Sequence, residues 1–354
     1  MRVVVLGAGK IGAAIARMLV EAGDWRVAVA DGDPATLADL PPAARRIEAR
    51  VDDPATLAQI LSGHDAVISA CPYFVNHTVA RVAREVGVHY LDLTEDVETT
   101  RQIRSLSEGA RTAFVPQCGL APGFVGIVAH DLFGRFESVQ SMRLRVGALP
   151  QFPANGLKYN LTWSTDGLIN EYLNACEVIH EGRRREALPL EAVEHFALDG
   201  IDYEAFNTSG GLGTLCDTLD GRIEFLDYKT VRYPGHCQAM RLLVHDLALW
   251  RRRDLLKQIL EEAIPVTLQD VVLIFVTASG RRDGRLTQET WARKIYGAEI
   301  GGRRWSAIQT TTAAAACAML DLLRAGLLPR EGFVRQEDAS LSDLLNNRFG
   351  RYYA

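Results

Sequence analysis

The sequence predicts an α/β fold: a Rossmann doubly wound parallel sheet, followed by a second α/β domain with a largely antiparallel sheet. Three observations support this fold class. A glycine-rich turn joins an apolar run to a helical segment at the N-terminus, short apolar runs then alternate with helical segments, and longer segments with strand character begin after Gly123. Alternating strands and helices are typical of a parallel sheet that binds ligands at its C-terminal edge.

The first strand and the turn after it predict a dinucleotide-binding site. Val3–Leu6 is a continuous apolar run, as expected of a parallel strand buried on both faces. Gly7-Ala8-Gly9-Lys10-Ile11-Gly12 follows directly, and the helical pattern then runs to Ala22. In this order the first glycine permits a tight turn, the second lets a pyrophosphate approach the backbone, and the third lets the helix pack closely. Backbone N–H groups at the helix N-terminus would hold the phosphates.

The second strand predicts which dinucleotide is bound. Arg26–Ala30 ends at Asp31, which lies 19 residues beyond Gly12. A carboxylate at this spacing accepts hydrogen bonds from the hydroxyls of the adenosine ribose. The same carboxylate would repel a 2′-phosphate, and Gly32-Asp33 adds no cation that could bind one. The sequence therefore favours NAD over NADP as the cofactor.

The alternation of strands and helices continues to residue 117. The predicted third to sixth strands and the helices among them are Arg46–Val51, Pro54–Ser62, Asp65–Cys71, Asn76–Val86, His89–Leu93 and Ala113–Gln117. Because a parallel sheet binds its ligand at the C-terminal ends of its strands, which we call the edge rule, three loops should face the nicotinamide. They are Ser69–Tyr73, Asp92–Glu95 and Gln117–Gly123. The cofactor-binding residues predicted from this domain are Gly7, Gly9, Lys10, Ile11, Gly12, Asp31, Asp52, Ser69 and Ala70.

The second half of the chain has a different pattern. Its predicted strands are Ser141–Val146, Tyr159–Trp163, Ile223–Val231 and a hairpin of Val271–Thr277 with Thr287–Tyr296. Its predicted helices are Thr165–Ala175, Leu242–Glu262 and Thr310–Arg324, the last of which should return to the dinucleotide domain. We therefore expect an NAD-binding domain over 1–122, completed by about 306–354, and a substrate and dimerisation domain over 123–305.

Composition narrows the class of protein further. The net charge of −5 argues against a nucleic-acid partner, and no apolar run approaches the ~20 residues of a membrane helix. The six cysteines form no CxxC pair and have no Cys/His spacing typical of a metal site, so no metal is expected. These features predict a cytoplasmic protein with free thiols.

Three further segments carry a family resemblance: Cys118–Gly123 (CGLAPG), Tyr203–Gly211 (YEAFNTSGG) and Tyr228–His236 (YKTVRYPGH). With the first domain, they resemble the saccharopine dehydrogenase-like oxidoreductases, most closely those members that deaminate L-lysine at its 6-amino group. The resemblance runs from Met1 to about Pro329, and the segment Gly332–Ala354 departs from the expected pattern.

The resemblance implies a reaction and an assembly. NAD would oxidise the ε-amino carbon of L-lysine with release of ammonia, and the product, 2-aminoadipate 6-semialdehyde, would cyclise to piperideine-6-carboxylate. The family's second domain is an inserted α/β domain whose sheet helps to form a homodimer, so a homodimer is expected here.

Such a reaction needs a cation for the substrate carboxylate and donors that hold it. Arg232 is the candidate cation, because a guanidinium can bind a carboxylate through two parallel hydrogen bonds. Ser209 and Gly210, with Gly211, could offer backbone N–H groups to the same carboxylate, or could form an ordinary turn. Tyr73 could stack on the nicotinamide or contact the substrate.

The reaction also needs a base, because hydride leaves the amine-bearing carbon only after the ammonium has lost a proton. The candidates are Asp92, Lys229 and His236. Asp92 ends a parallel strand at the ligand edge. Lys229 would need burial to lower its pKa, and His236 begins near the right pKa but follows a Pro-Gly pair typical of turns.

Two other functions remain open at this point. One is a secondary-amine dehydrogenase acting on saccharopine or on a carboxyalkyl polyamine of the carboxynorspermidine type. Saccharopine carries three carboxylates and needs more than one cation, whereas the segment around Tyr203–His236 offers only Lys229 and Arg232, which favours the smaller substrate. The other is a catalytically silent NAD-binding sensor.

Overall fold

The computed structural model describes residues Met1–Ala354 and divides into two compact units. The first unit comprises Met1–Ile127, Glu299–Trp305 and Gln309–Ala354. The second comprises Val128–Ala298 and Ser306–Ile308. The first unit is therefore discontinuous in sequence, and its last part is the C-terminal end of the chain.

The strands and helices are numbered in chain order. The strands are β1 (Arg2–Leu6), β2 (Arg26–Asp31), β3 (Arg45–Glu48), β4 (Ala66–Ser69), β5 (His89–Asp92), β6 (Ala113–Val115), β7 (Ser138–Pro150), β8 (Cys176–His180), β9 (Arg183–Ala187), β10 (Glu194–Leu198), β11 (Ile201–Asn207), β12 (Ile223–Arg232), β13 (Asp270–Arg282), β14 (Arg285–Tyr296), β15 (Glu299–Ile300), β16 (Arg303–Arg304) and β17 (Gly332–Phe333). The α-helices are α1 (Lys10–Glu21), α2 (Pro34–Ala38), α3 (Pro54–Leu61), α4 (Tyr73–Val86), α5 (Val97–Ser107), α6 (Phe124–Phe133), α7 (Thr165–Leu173), α8 (Leu215–Thr218), α9 (His236–Arg241), α10 (Arg253–Ala263), α11 (Ala307–Ala325) and α12 (Leu341–Asn346). None of them combines the length and the apolar content that crossing a bilayer requires.

The sheet of the first unit confirms the predicted Rossmann fold. Its strand order is β3-β2-β1-β4-β5-β6-β17, and every pairing is parallel. The first six strands thus have the Rossmann order. All four residues of Val3–Leu6 are completely buried, because a parallel sheet is covered on both faces.

The sheet of the second unit is mixed. Its strands follow the order β10-β11-β12-β7-β13-β14, with the β8–β9 hairpin paired to β12. The pairing of β7 with β12 is parallel and the remaining pairings are antiparallel. The predicted hairpin is present as β13 and β14, and its turn is shorter than the sequence suggested. Asp283 and Gly284 both have positive φ, which is the geometry of a two-residue turn between twisted strands.

Alternation along β12 separates its side chains onto two faces of this sheet. Tyr228, Thr230 and Arg232 lie on one face, and Lys229 and Val231 lie on the other. We call the first the helix-covered face, because its apolar core includes side chains from α7, α9 and α10. The opposite face has its own apolar cluster, built largely from strand residues.

Two predicted elements of the second unit are wrong. Tyr159–Trp163 forms no strand, because its backbone bonds to irregular segments, with Leu161 N–H donating to Pro265 O. The segment predicted as one helix over Leu242–Glu262 is broken. A π-helical turn spans Leu242–Asp246, and Ala248 then adopts a left-handed conformation (φ +52°) that no regular helix accommodates.

Candidate functional site

The glycine turn after β1 has room for a dinucleotide. Gly7 has φ +89°, and a Cβ on Gly12 would lie 1.8 Å from the carbonyl oxygen of Gly7. A Cβ on Gly9 would meet nothing within 4 Å, so the space beside this residue is open. Gly9 is also the N-cap of α1 and provides no side-chain cap, so the N-terminal end of this helix, where Lys10 and Ile11 follow, is suited to hold a pyrophosphate. These residues fit the cofactor that the fold implies.

Asp31 lies beside this turn. Its Oδ2 accepts a hydrogen bond from Ala8 N at 2.6 Å, and its Oδ1 accepts one from Asp33 N at 2.8 Å. The half-buried carboxylate is thus held at the end of β2, where a ribose would approach. The sequence suggested no cation near Asp31. In the structure, however, Ala49 N donates a hydrogen bond to Asp31 O, and this bond brings the next residue, Arg50, to the same edge of the sheet.

The Arg50 guanidinium is engaged by Asp52, with Nη2 and Oδ2 2.8 Å apart. Both side chains are exposed, and the interaction lowers the pKa of the Asp52 carboxyl below its ordinary value. Asp52 was predicted to bind the cofactor. Its carboxylate forms an exposed ion pair with Arg50, and its role in binding the cofactor stays a prediction.

Ser69 and Ala70 lie at the end of β4, next to the glycine turn. The Ala70 carbonyl oxygen lies 3.0 Å from the position of a Cβ on Gly7, so no larger residue fits between them. The buried Ser69 hydroxyl donates to Asn76 Oδ1 at 2.7 Å and ties the strand to α4. Tyr73 is the first residue of that helix, and its ring packs edge-on against Phe74.

Asp92, a candidate base, ends β5 and is completely buried. Its Oδ1 accepts hydrogen bonds from the backbone N–H groups of Thr94 and Gln117, both at 2.9 Å, and its Oδ2 accepts one from the Tyr90 hydroxyl at 2.6 Å. Burial raises the pKa of Asp92 above its ordinary value, although these three donors oppose the shift. Because a carboxylate has about four acceptor positions, Oδ2 keeps one more.

Arg232, the candidate carboxylate-binding residue, lies in the second unit at the end of β12. It is 2% exposed. Its Nε donates to the Tyr172 hydroxyl at 3.2 Å, its Nη1 donates to Val231 O at 2.8 Å, and its guanidinium carbon lies 4.7 Å from the centre of the Tyr159 ring. Burial disfavours the charge, but Tyr172, Tyr159 and Glu171 still raise the pKa of Arg232 above the ordinary arginine value. Arg232 is therefore a buried cation.

A comparison with Arg145 shows what is unusual about Arg232. Arg145 is 3% exposed, and it forms ion pairs with Glu194 and with Asp227, the latter at 2.6 Å. No carboxylate oxygen lies within 4.0 Å of the Arg232 guanidinium nitrogens. Buried charges in proteins are normally paired, because leaving one unpaired costs much of its hydration energy. Arg232 therefore suits an anionic ligand.

His236 and Arg232 contact the same tyrosine. His236 Nδ1 lies 2.8 Å from Leu157 O, and Nε2 lies 3.0 Å from the Tyr172 hydroxyl. Since a carbonyl only accepts, Nδ1 carries the proton, and Nε2 accepts from Tyr172. Burial and the Arg232 charge lower the pKa of His236 to about 3, so the ring is neutral. We call this arrangement the Arg232–Tyr172–His236 chain.

Lys229, the third candidate base, does not join this chain. It lies on the opposite face of the sheet, where Nζ donates to Ala192 O at 2.6 Å and to Glu194 Oε2 at 3.1 Å. The side chain is 8% exposed. Lys229 and Arg232 therefore lie on opposite faces of the sheet, and the ion pair with Glu194 favours a structural role for Lys229 over that of a base.

Ser209 and Gly210 could, from the sequence, offer backbone N–H groups to the substrate carboxylate or form an ordinary turn. Ser209 N donates to Glu171 O at 3.0 Å, and its hydroxyl donates to Ala175 O at 2.9 Å, so both donors are already used. Gly210 has φ +86°, and a Cβ on Gly211 would lie 2.3 Å from the Tyr228 ring. Gly210 and Gly211 therefore lie in a tight turn that packs against the Tyr228 ring.

Sequence reasoning missed the residues that hold Arg232 and His236. Tyr172 and Tyr159 contact Arg232, and Glu204 accepts hydrogen bonds from Gly235 N at 2.9 Å and Cys237 N at 2.6 Å at the start of α9. Tyr172 lies in a helical pattern and Tyr159 in an irregular segment, so neither has a sequence signal that separates it from an ordinary core tyrosine.

Comparison with known proteins identifies both parts of the chain. Residues 3–114 match the family model described as the saccharopine dehydrogenase NADP binding domain, and residues 119–350 match the saccharopine dehydrogenase C-terminal domain. A curated relative, saccharopine dehydrogenase [NADP(+), L-glutamate-forming] of Schizosaccharomyces pombe, is 25% identical over 151 residues, which are 40% of this chain and 33% of the relative. The chain thus spans about a third of the length of that relative.

Two solved structures have a similar fold. The apo, histidine-tagged saccharopine dehydrogenase (L-Glu forming) of Saccharomyces cerevisiae has a TM-score of 0.78 and 17% identity, covering 99% of this chain and 98% of that one. The homospermidine synthase of Legionella pneumophila in complex with NAD has a TM-score of 0.70 and 14% identity, covering 99% and 89%.

The C-terminal segment also belongs to the family pattern. The expectation that the resemblance ends near Pro329 is wrong, because the family match extends to residue 350. Within this segment β17 pairs with β6, and the buried Tyr353 ring stacks on Phe124 at 3.7 Å between ring centres. With its two domains matched over nearly the whole length, the chain belongs to the saccharopine dehydrogenase family of NAD(P)-dependent oxidoreductases.

Proposed function

We propose that the protein is an NAD-dependent L-lysine 6-dehydrogenase. It would oxidise the ε-amino carbon of L-lysine to give 2-aminoadipate 6-semialdehyde, which cyclises to piperideine-6-carboxylate, and ammonia. The observation that carries the choice of substrate is Arg232, a buried guanidinium without a carboxylate partner on the helix-covered face. A substrate with one carboxylate supplies the charge that this site lacks.

The surroundings of Arg232 suit a carboxylate clamp. The Tyr172 hydroxyl and the Val231 carbonyl take Nε and Nη1, and the Tyr159 ring supports the plane of the guanidinium. These contacts fix the side chain, while Nη2 makes no hydrogen bond within the protein and can donate to a ligand. A clamp fixed before the ligand arrives loses little side-chain entropy on binding.

The number of available cations favours lysine over saccharopine and over a polyamine without a carboxylate. Saccharopine carries three carboxylates, and Lys229, which would have been the second clamp, is paired with Glu194 on the other face. A polyamine such as homospermidine carries no carboxylate and would leave Arg232 unpaired. L-lysine carries one.

Asp31 supports NAD as the cofactor of this reaction. Its carboxylate is fixed beside the glycine turn, and Asp52 neutralises the nearby Arg50. Bound NAD supplies the hydride acceptor, and the residues that would hold it are those of the glycine turn, Asp31, Ser69 and Ala70. This choice differs from the NADP(+) in the name of the curated relative.

The geometry of the Arg232–Tyr172–His236 chain helps to decide which residue is the base. If Arg232 binds the α-carboxylate of lysine, His236 lies at the same end of the substrate, because both residues contact one tyrosine oxygen. The ε-nitrogen, which must lose its proton, is at the other end of the lysine side chain. Asp92 ends a strand at the cofactor edge, and burial raises its pKa toward the working range. These features of its own sheet favour Asp92 as the base, and the contact with the Tyr172 hydroxyl favours a positioning role for His236.

The second candidate function is oxidation of saccharopine, which the sequence identity to the Schizosaccharomyces pombe enzyme favours. The test is the initial rate of NADH formation by the full chain with NAD and, in turn, L-lysine, L-ornithine, saccharopine and spermidine. The proposal expects the highest kcat/KM with L-lysine. NADH formation with saccharopine or spermidine alone would contradict it, and NAD binding without turnover of any amine would indicate a sensor.

A further inference from the structure

The second unit contains a cavity that the proposed reaction does not use. Its volume is about 670 Å³, within the range of roughly 300–1,000 Å³ that small-molecule sites occupy. Its walls come from the end of α7, the loop between β9 and β10, the π-helical turn after α9 and the start of α10. All of these segments belong to one unit, so the cavity is complete within it.

The backbone around this cavity is irregular. Leu190 and Ala192, in the loop between β9 and β10, have φ of +60° and +52°, and Ala248 has φ +52° next to the π-helical turn. Non-glycine residues with positive φ and single π-helical turns both cost stability, and both concentrate at ligand sites. The fold therefore maintains unfavourable backbone conformations on two sides of the same cavity.

The charges in the cavity walls are of both signs. Glu191 and Arg241 form an ion pair at 3.2 Å and neutralise one another. Asp246 and Arg253 also line the cavity, yet they lie more than 4.0 Å apart, and neither has an ion-pair partner. Both side chains are exposed, so one carboxylate and one guanidinium of the same cavity are accessible to a ligand.

The rest of the wall is apolar. Trp250 is 49% exposed and Leu188 is 69% exposed, although both are large side chains that proteins usually cover, and Pro189 and Val244 lie beside them. An aromatic ring with one face open is a suitable support for a flat or branched apolar group. The wall thus combines one cation, one anion and an apolar surface.

We propose that this cavity binds a zwitterionic amino acid with an aromatic or branched apolar side chain. Arg253 pairs with its carboxylate, Asp246 pairs with its ammonium, and Trp250 with Leu188 covers its side chain. The ligand is distinct from the substrate, whose carboxylate is assigned to Arg232.

The floor of the cavity suggests what the ligand does. Tyr172 lines the cavity, and its hydroxyl holds both Arg232 and His236. Tyr172 is 1% exposed, so a ligand would act on it through the neighbouring Leu173 and Asn174 at the end of α7. A ligand that binds better to one position of this helix end would bias the position of the Tyr172 hydroxyl and thereby that of Arg232. The bound amino acid is therefore an effector that changes the KM for the substrate carboxylate. The effector role rests on the proposed function, whereas the binding site does not.

Binding is tested by calorimetry on the full chain without NAD or L-lysine. The probes are L-phenylalanine, phenethylamine, which lacks the carboxylate, and 3-phenylpropionate, which lacks the ammonium. Saturable binding of L-phenylalanine, with each truncated probe at least about tenfold weaker, is expected from the loss of one charge-assisted contact. Absence of saturable binding, or equal binding of the three probes, overturns the proposal.

Variants locate the site. Arg253→Gln and Asp246→Asn should each weaken L-phenylalanine binding about tenfold or more, while Arg252→Gln, a neighbouring arginine that does not line the cavity, should leave it unchanged. Loss of binding in Arg232→Met with retention in Arg253→Gln would place the probe in the substrate site and refute the inference.

Steady-state kinetics then test the effector role of the bound amino acid. L-phenylalanine should change the KM for L-lysine in the unmutated enzyme and in Arg252→Gln, and should have no effect in Arg253→Gln. An unchanged KM at saturating L-phenylalanine refutes the effector role. If no amine is oxidised while L-phenylalanine still binds through Arg253, the proposed function fails and the binding site stands.

Discussion

Replacing Arg232 with methionine separates a substrate clamp from a structural cation. Methionine keeps an unbranched side chain that can replace the methylene stem of the arginine, and it removes the charge and the hydrogen bonds. A lost charge-assisted contact costs about 1.5–3 kcal/mol, which corresponds to roughly ten- to a hundredfold in binding. We expect Arg232→Met to raise the KM for L-lysine by this factor and to leave the Kd for NAD unchanged, because the cofactor residues belong to the other unit.

The assay compares L-lysine with cadaverine, which is lysine without its carboxylate. The unmutated enzyme should use cadaverine poorly, and Arg232→Met should penalise cadaverine far less than L-lysine, so the ratio of the two kcat/KM values should fall by about ten- to a hundredfold. Initial rates of NADH formation give both constants, and NADH fluorescence titration gives the cofactor affinity.

Arg145→Met provides the matched control. This arginine is equally buried, but its charge is paired with Glu194 and Asp227, so its loss leaves Asp227 without this partner and Glu194 with Lys229 alone. Such a change lowers the free energy of unfolding by about 3–5 kcal/mol and should depress both substrates alike. The same equal loss on L-lysine and cadaverine in Arg232→Met, with a lowered Tm, would refute the assignment of Arg232 as a clamp.

Four further outcomes are expected. Asp31→Ser, which removes the acceptor of Ala8 N, should weaken NAD binding and narrow the gap to NADP, whereas equal affinity of the unmutated protein for both cofactors would contradict the assignment. Because burial raises the pKa of Asp92, kcat/KM should rise with pH through a value above the ordinary aspartate pKa, and an unchanged profile in Asp92→Asn would exclude it as the base. The His236 pKa of about 3 lies below its unfolded value of about 6.5, so the unfolded chain binds the extra proton and the free energy of unfolding should fall by about 2 kcal/mol between pH 6.5 and 5. Urea denaturation checks this, and an equally steep loss in His236→Gln would argue against it. Light scattering should give twice the 39.0 kDa of one chain, and a mass near 39.0 kDa would reject the homodimer.

The sequence was most informative where each residue's role depends on its own neighbours. Strands β1, β2, β4 and β6 are largely local apolar runs, and the three glycines of the turn have roles that follow from backbone geometry alone. The edge rule then placed Asp31 and Asp92 at strand ends without knowledge of any long-range contact.

The second unit shows where local reasoning fails. Lys229 and Arg232 are an odd number of residues apart, so a strand puts them on opposite faces, and this signal was present in the sequence but not used. The role of Ser209 depends on carbonyl groups of Glu171 and Ala175, which the chain brings near only by folding. Tyr172 is recognisable as a positioning residue only from its two polar contacts.

The docking of the C-terminal segment has a consequence for synthesis of the chain. Strand β6 has β17 as its outer neighbour, and Tyr353 stacks on Phe124 and donates to Thr311 O at 2.6 Å. A ribosome completes β6 long before it reaches β17, since the whole second unit lies between them. At roughly 5–20 residues per second, the outer edge of β6 stays without its neighbour for on the order of tens of seconds. During that interval an unpaired strand edge is a template for association with other nascent chains, so slower elongation through the second unit should lower the soluble yield.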